Sequence, residues 1–237
     1  MKFNIIELEE VDSTNKYAKD NIEELNNFDV IFTKRQTSGR GRMGRVWEAD
    51  NKSLAFSIVI KDSKLLDDFE SLSIISATAV FKALSTKCDK VSIKWPNDVY
   101  IGSKKVCGIL SEGVSYDKLV GIIDGIGINV NNSSLPLDTA TSLFMETGKE
   151  YNIKDILSSV LNNFDDLITK HFNGNNEYLD IINENNYLFG KTAYAEINNQ
   201  KTLVKIYNVL PNNHLVIEYD GNKKEISTGE ISFHLND

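Results

Sequence analysis

Three apolar runs do most to limit what this chain can fold into. "SLAFSIVI" (53–60), "KKVCGILSEGV" (104–114) and "KLVGIIDGIGINV" (118–130) read as strands. The first has the composition of a buried strand. The third is thinned by glycines, which belong where something must come close to the backbone. "FESLSIISATAVFKALSTK" (69–87) reads as a helix with Leu72, Ser76, Ala79, Val80, Ala83 and Leu84 on one side, small enough to pack closely on a sheet. The clearest helical period is "NIKDILSSVLNNFDDLITKHF", where Ile153, Ile156, Leu157, Val160, Leu161, Phe164, Leu167, Ile168 and Phe172 recur and Asn152 can cap the start.

Shorter elements fill the rest. Residues 3–8 suggest a strand, and a helix begins in "EVDSTNKYAKDNIEEL", capped by Asp12 or Ser13, with Tyr17, Ala18, Ile22 and Leu25 on its apolar face. "DVIFTKR" and "VSIKW" are strands, the latter followed by a turn at Pro96-Asn97-Asp98 and the strand "VYI". A short helix is expected over 176–186. The character changes near Leu188: from Lys191 onward short alternating runs are separated by turns at Asn198-Asn199, Pro211-Asn212-Asn213 and Asp220-Gly221. This pattern predicts a small antiparallel barrel, dividing the chain into domains at 1–188 and 189–237.

The segment "KRQTSGRGRMGR" between the second and third strands is the chemical anomaly. Five cations (Lys34, Arg35, Arg40, Arg42, Arg45) and three glycines fall within twelve residues without an acid, although the 237-residue chain has a formal charge of -8. A sequence pI near 5.0 argues against a general nucleic-acid or anionic-membrane binder. A local positive charge of this kind suits a small anion, with glycine N–H groups and arginine forks as donors. The loop is not a "GxxxxGK[ST]" phosphate loop, and no helix begins on it as a dinucleotide fingerprint requires. On charge alone, a solvated basic hairpin or an RNA-binding patch stays open.

Trp47 could stack on a base or be core. "KWPNDVYIGSKKVCGIL" offers Lys94, Asn97, Asp98 and Lys105; these could bind a ligand, or be a turn-forming pair and a snorkelling lysine. In "DGIGINVNN", Asn129 could match an adenine edge or end an ordinary strand. His171, His214 and His234 lie outside these clusters, which argues against Ser-His-Asp, Cys-His or His-rich zinc chemistry. The chemistry left is electrostatic, as in adenylation or phosphoryl transfer. Cys88 and Cys107 have no metal-ligand spacing and read as reduced thiols. With no apolar run long enough for a signal peptide or a membrane span at the N-terminus, the reading is a cytoplasmic protein.

Taken in order, "DSTN" (12–15), "RQTSGRGRMGRVW" (35–47), "KWPNDV" (94–99), "KKVCGIL" (104–110) and "GIGINV" (125–130) closely resemble biotin protein ligases. The resemblance implies an α+β fold: a mixed β-sheet flanked by helices, of the class II aminoacyl-tRNA synthetase-like biotin ligase type, with a C-terminal SH3-like β-barrel. It implies that biotin and MgATP form biotinyl-5′-AMP and pyrophosphate, and that biotin then passes to one lysine of a biotin carboxyl carrier domain.

Carried onto matching positions, Ser13, Thr14, Asn15, Gln36 and Gly39 would line the biotin site. Arg40, Gly41 and Arg42 would order over biotin and the acyl phosphate, and Gly108 would let the ligand approach the strand. Trp47, Lys94, Asn97 and Asn129 would serve the nucleotide. Lys105 would bind the carboxylate and phosphoryl oxygens, with Asp98 as candidate base. Three glycines and mutually repelling arginines predict a lid over 38–46, and Arg42→Gly is expected mainly to speed loss of biotinyl-AMP. Because "DSTN" begins at Asp12, no sixty-residue DNA-binding domain fits ahead of it; the expectation is a monofunctional ligase that binds no DNA and no membrane, as a monomer or homodimer. A lipoate–protein ligase is the nearest enzyme alternative.

Overall fold

A computed structural model describes residues 1–41, 44–47, 49–197, 200–227 and 233–235. The first sheet contains β1 (Asn4–Leu8), β2 (Asp29–Thr33), β3 (Ser53–Ile60), β4 (Val91–Lys94), β5 (Asp98–Ile101), β6 (Lys104–Ser115) and β7 (Leu119–Asn129). Its order is β1-β2-β3-β7-β6-β5-β4, and it is mixed: β1 and β2 are parallel, whereas every other pair is antiparallel. The apolar runs thus take the interior positions β3, β7 and β6.

Helices cover both faces. The short α2 (Ser63–Asp67) leads into α3 (Phe69–Ser85), and the short α4 (Leu143–Thr147) precedes α5 (Ile153–Phe172); α3 and α5 lie on one side, with α6 (Glu177–Asn185) beside them. Asn152 caps α5 by accepting from the Lys154 N–H, and the expected stripe from Ile156 to Ile168 is buried. Each such side chain contributes roughly 1.5–3 kcal/mol. On the other side α1 (Thr14–Asp20) packs Ala18 against Ile31, Val59 and Ile123. This helix ends earlier than its apolar period predicts. The Asn21 side chain donates to the Tyr17 carbonyl at 2.8 Å and closes the last turn, while Ile22 and Leu25 still bury from the turn that follows.

The second sheet contains β8 (Thr192–Ile197), β9 (Gln200–Val209), β10 (Leu215–Tyr219), β11 (Asn222–Ile226) and β12 (Phe233–Leu235), ordered β11-β10-β9-β8-β12. Among the described residues it is a five-stranded antiparallel sheet, with no pairing that closes β11 on β12 into the expected barrel. The expected turn at Asn198-Asn199 lies outside the described residues. Asp220 and Gly221 both have positive φ, as a tight two-residue hairpin turn requires.

The two sheets share one apolar core, since Ala193, Val204, Leu215 and Ile217 join the cluster formed by α3, α5 and α6. The β9–β10 turn adds polar ties. Trp95 Nε1 donates to the Asn213 carbonyl at 3.2 Å, Tyr178 donates to Asn213 Oδ1 at 3.0 Å, and Asn213 Nδ2 donates to Ser71 Oγ at 2.9 Å.

Candidate functional site

Strand register gathers small residues on the face that carries α1. Asp98 of β5 lies opposite Gly108 of β6, Gly108 opposite Gly127 of β7, and Gly127 opposite Ala55 of β3. Two residues along, Leu110, Gly125 and Ser57 form the next row on the same face. The floor at 108, 127, 55, 125 and 57 therefore carries nothing larger than a methyl or hydroxymethyl group. A Cβ at Gly127 would enter the Trp47 indole, and one at Gly125 the Asn15 amide. One at Gly108 would come within 2.9 Å of Lys105 Nζ and 3.2 Å of Trp47 Cζ3. The glycines are there because neighbouring groups lie directly on the backbone.

One end of this trough is a polar wall made by the start of α1. Ser13 caps the helix, accepting from the Lys16 N–H. The Thr14 N–H and Oγ1 donate to Gln36 Oε1 at 2.9 and 3.1 Å. Asn15 Nδ2 donates to the Leu110 carbonyl at 3.1 Å and to Glu112 Oε2 at 2.8 Å, and Glu112 also pairs with Lys19. Beneath them Ser57 Oγ lies 2.7 Å from Thr14 Oγ1 and 2.6 Å from Asn15 Oδ1. Gln36 is held in turn by its N–H, which donates to the Ala49 carbonyl at 3.0 Å. Ser57 and Glu112 are missing from the sequence-derived candidates. Both lie in strand runs, and only the register brings them to the wall.

The other end is charged. Lys105 Nζ lies 2.6 Å from Asp98 Oδ1 and 5.8 Å from the centre of the Trp47 ring. Lys94 stands opposite Asp98 in the β4–β5 ladder, with its Nζ 3.4 Å from the Tyr100 hydroxyl. Burial pushes the Lys94 ammonium below the usual lysine range; Asp98 works against this, while Lys105 and Arg45 add to it. Burial likewise pushes the Tyr100 phenol up.

The arginine loop folds back on itself. The Gly41 N–H donates to the Arg45 carbonyl at 2.7 Å and the Trp47 N–H to the Gly39 carbonyl at 2.9 Å, with Gly44 at positive φ in the turn. Arg40 is exposed, Gly39 is buried beside Gln36, and Arg42 lies outside the described residues. Trp47 lies along the trough, and its Nε1 is buried with no hydrogen-bond partner among the described residues. A cleft of about 310 Å³ is bordered by Trp47 together with Gln36, Val46, Asp50 and Asn132.

Two candidates are more closely tied into the fold than the sequence suggests. Asn97 Nδ2 donates to the Ile109 carbonyl at 2.6 Å and the Asn97 carbonyl accepts from the Ile109 N–H at 3.0 Å, pinning the Pro96 turn to β6. Asn129 Nδ2 donates to the Thr141 carbonyl at 3.0 Å. Among the described residues no three His, Cys, Asp or Glu side chains gather as a metal-holding group, and no helix is long and apolar enough to cross a membrane.

Residues 7–129 match the biotin/lipoate A/B protein ligase family, and this stretch carries both the polar wall and the charged end. The chain belongs to the biotin/lipoate A/B protein ligase family. The structure of the biotin protein ligase from Aquifex aeolicus in complex with biotin and ATP superposes with a TM-score of 0.88 at 31% identity, over 98% of this chain and 99% of that one. Among curated relatives, the bifunctional ligase/repressor BirA of Bacillus spizizenii is 33% identical over 140 residues, 56% of this chain and 43% of its own length. The biotin–[acetyl-CoA-carboxylase] ligase of Paracoccus denitrificans is 33% identical over 132 residues, 54% of this chain and 55% of its own length. The match thus spans about half the length of each of these two curated relatives. The family match ends at Asn129, whereas the likeness to the Aquifex ligase extends over the C-terminal sheet as well.

Proposed function

We propose that this chain is an ATP-dependent biotin–protein ligase, which makes biotinyl-5′-AMP and transfers biotin to a lysine of a biotin carboxyl carrier domain. The observation that carries the reading is the glycine-floored trough, walled by Thr14, Asn15 and Gln36 at one end and closed by the Lys105–Asp98 pair at the other. In this reading the biotin ring system faces Ser13, Thr14 and Gln36, and the ligand lies over Gly108. Its carboxylate reaches Lys105.

In the first step a carboxylate oxygen attacks the α-phosphorus of MgATP, and the bond to pyrophosphate breaks. Two anions must be brought together, and at about 4 Å their repulsion is roughly 4 kcal/mol at an effective dielectric constant near 20. Lys105, Arg40 and Arg42 would offset that repulsion and favour the charge of the transition state. Magnesium would arrive on the triphosphate. Trp47 would stack on the adenine. Asn129, with one N–H given to Thr141, keeps another N–H and its carbonyl oxygen for the base edge.

In the second step the acceptor amine loses a proton and attacks the acyl carbon, and AMP leaves. Asp98 is the residue we assign to taking that proton. A closed loop over the site would keep water from the mixed anhydride. The test is ATP–pyrophosphate exchange: exchange that depends on biotin supports the reading, and exchange with lipoate but not biotin overturns it.

A further inference from the structure

Beneath the polar wall, Ser57 is fully buried in the middle of β3, which is apolar apart from it and Ser53, with no solvent to satisfy its hydroxyl. Its Oγ lies 2.7 Å from Thr14 Oγ1 and 2.6 Å from Asn15 Oδ1, so it serves the two adjacent residues that open α1. We propose that Ser57 is a positioning residue for the cyclic-urea ring of the substrate: it seats the Thr14 hydroxyl and the Asn15 amide so that the wall offers acceptor oxygens to ring N–H groups. This inference rests on the biotin reading of the trough.

The protons of the wall have defined places. The Thr14 N–H can only donate, so the Gln36 atom facing it at 2.9 Å is Oε1, and Gln36 Nε2 is the donor left on that side chain. The Leu110 carbonyl and the Glu112 carboxylate accept from Asn15, so Asn15 presents Nδ2 to them and Oδ1 to Ser57. Ser57 has one proton to share between Thr14 Oγ1 and Asn15 Oδ1. Thr14 gives its own proton to Gln36 Oε1 at 3.1 Å. No hydroxyl proton is left for a ligand, and Thr14 can meet a ring N–H only as an acceptor. The Gln36 amide supplies the complementary donor for a ring carbonyl.

Removing Ser57 leaves Asn15 Oδ1 buried over Gly125 without its serine donor, and takes from Thr14 Oγ1 one of its two bonds, so that the bond to Gln36 alone orients it. Neither change reaches Lys105 or Asp98 at the far end of the floor. The expected signature is therefore selective. Ser57→Ala should raise KM for biotin about tenfold in pyrophosphate exchange, with kcat and KM for ATP within twofold of the parent. In a Thr14→Val background the same substitution should raise KM for biotin less than threefold, because its main route of action is already gone.

An unchanged KM for biotin, an equal rise in KM for ATP, or an undiminished effect in the Thr14→Val background would overturn the proposal. Should Ser57→Ala fold poorly, Ser57→Cys keeps a similar shape with a weaker donor, and the same split between KM and kcat is expected of it. If the unaltered chain shows no biotin-dependent exchange, the underlying reading fails, whatever Ser57 does.

Discussion

The ammonium of Lys105 lies 2.6 Å from the carboxylate of Asp98, at the end of the trough where the reacting carboxylate would sit. A cation held by a protein carboxylate can be shared with a substrate carboxylate or phosphate without first being stripped of water. The pair therefore serves both chemical steps in different ways, and two substitutions should separate them. Lys105→Ala should lower adenylate formation by about two to three orders of magnitude, the usual scale for losing one group that meets developing charge. Asp98→Asn, which keeps the shape, should lower transfer from preformed biotinyl-AMP to a carrier more than it lowers adenylate formation. Single-turnover assays of each half-reaction measure this, and an equal loss in both halves for Asp98→Asn would remove it as the proton acceptor.

Gly127 should tolerate no side chain if ligand is to bind. Gly127→Val places branched carbon where the Trp47 indole now lies. We expect the variant to fold with the same circular dichroism spectrum and to bind biotin at least a hundredfold more weakly by titration calorimetry. Binding within tenfold of the parent would mean that the ligand does not lie on this floor.

Asp124 should give the protein a distinctive pH profile. It is fully buried on the opposite face of β7, accepting from Ser76 at 2.5 Å and Ser111 at 2.6 Å. Burial raises its carboxyl from an ordinary 3.8 to about 6, with both hydrogen bonds working against the shift. Below pH 3.8 both folded and unfolded states hold the proton; between 3.8 and about 6 only the unfolded chain releases it. This group's contribution to stability is therefore complete at the acid end and lost as the pH rises through that window, on the order of 3 kcal/mol in all. Asp124→Asn removes the dependence. Denaturant titrations from pH 4 to 7 should show the difference between variant and parent moving in the variant's favour as pH rises, and parallel profiles would contradict it.

The tie between the two sheets should be measurable at Asn213. Its side chain bonds Ser71 and Tyr178, its carbonyl accepts from Trp95, and its φ is +66°. Asn213→Ala leaves buried partners unsatisfied and keeps a left-handed backbone, which together should cost about 2–4 kcal/mol in a denaturant midpoint. Asn213→Gly relieves the backbone part and should recover about 1 kcal/mol.

Much of this architecture is legible in the residues, for reasons that differ from element to element. β3 and α5 are plain because a continuous apolar run and a long 3.6-residue period each have one reading. α1 is read too long, because Ile22 and Leu25 stay in helical phase although Asn21, bonded back to the Tyr17 carbonyl, has already ended the helix after Asp20. The helices Ser63–Asp67 and Leu143–Thr147 are five residues each, too short to establish a period, and neither is anticipated. Lys105 is visible as a cation opening an apolar strand. Ser57 is not, because a serine among aliphatic residues carries no signal until the pairing of β3 with β7 sets it under Thr14. Asn97 and Asn129 are found as polar residues at strand ends, but the sequence does not reveal the backbone bonds they make.

Ligase activity is read most directly from the mass of a biotin carboxyl carrier domain incubated with this protein, biotin and ATP. The expected result is a shift of one biotinyl group on a single lysine, lost when ATP is omitted or when Lys105 is replaced by alanine. An unmodified carrier in the complete mixture, with the protein folded and biotin bound, would contradict it.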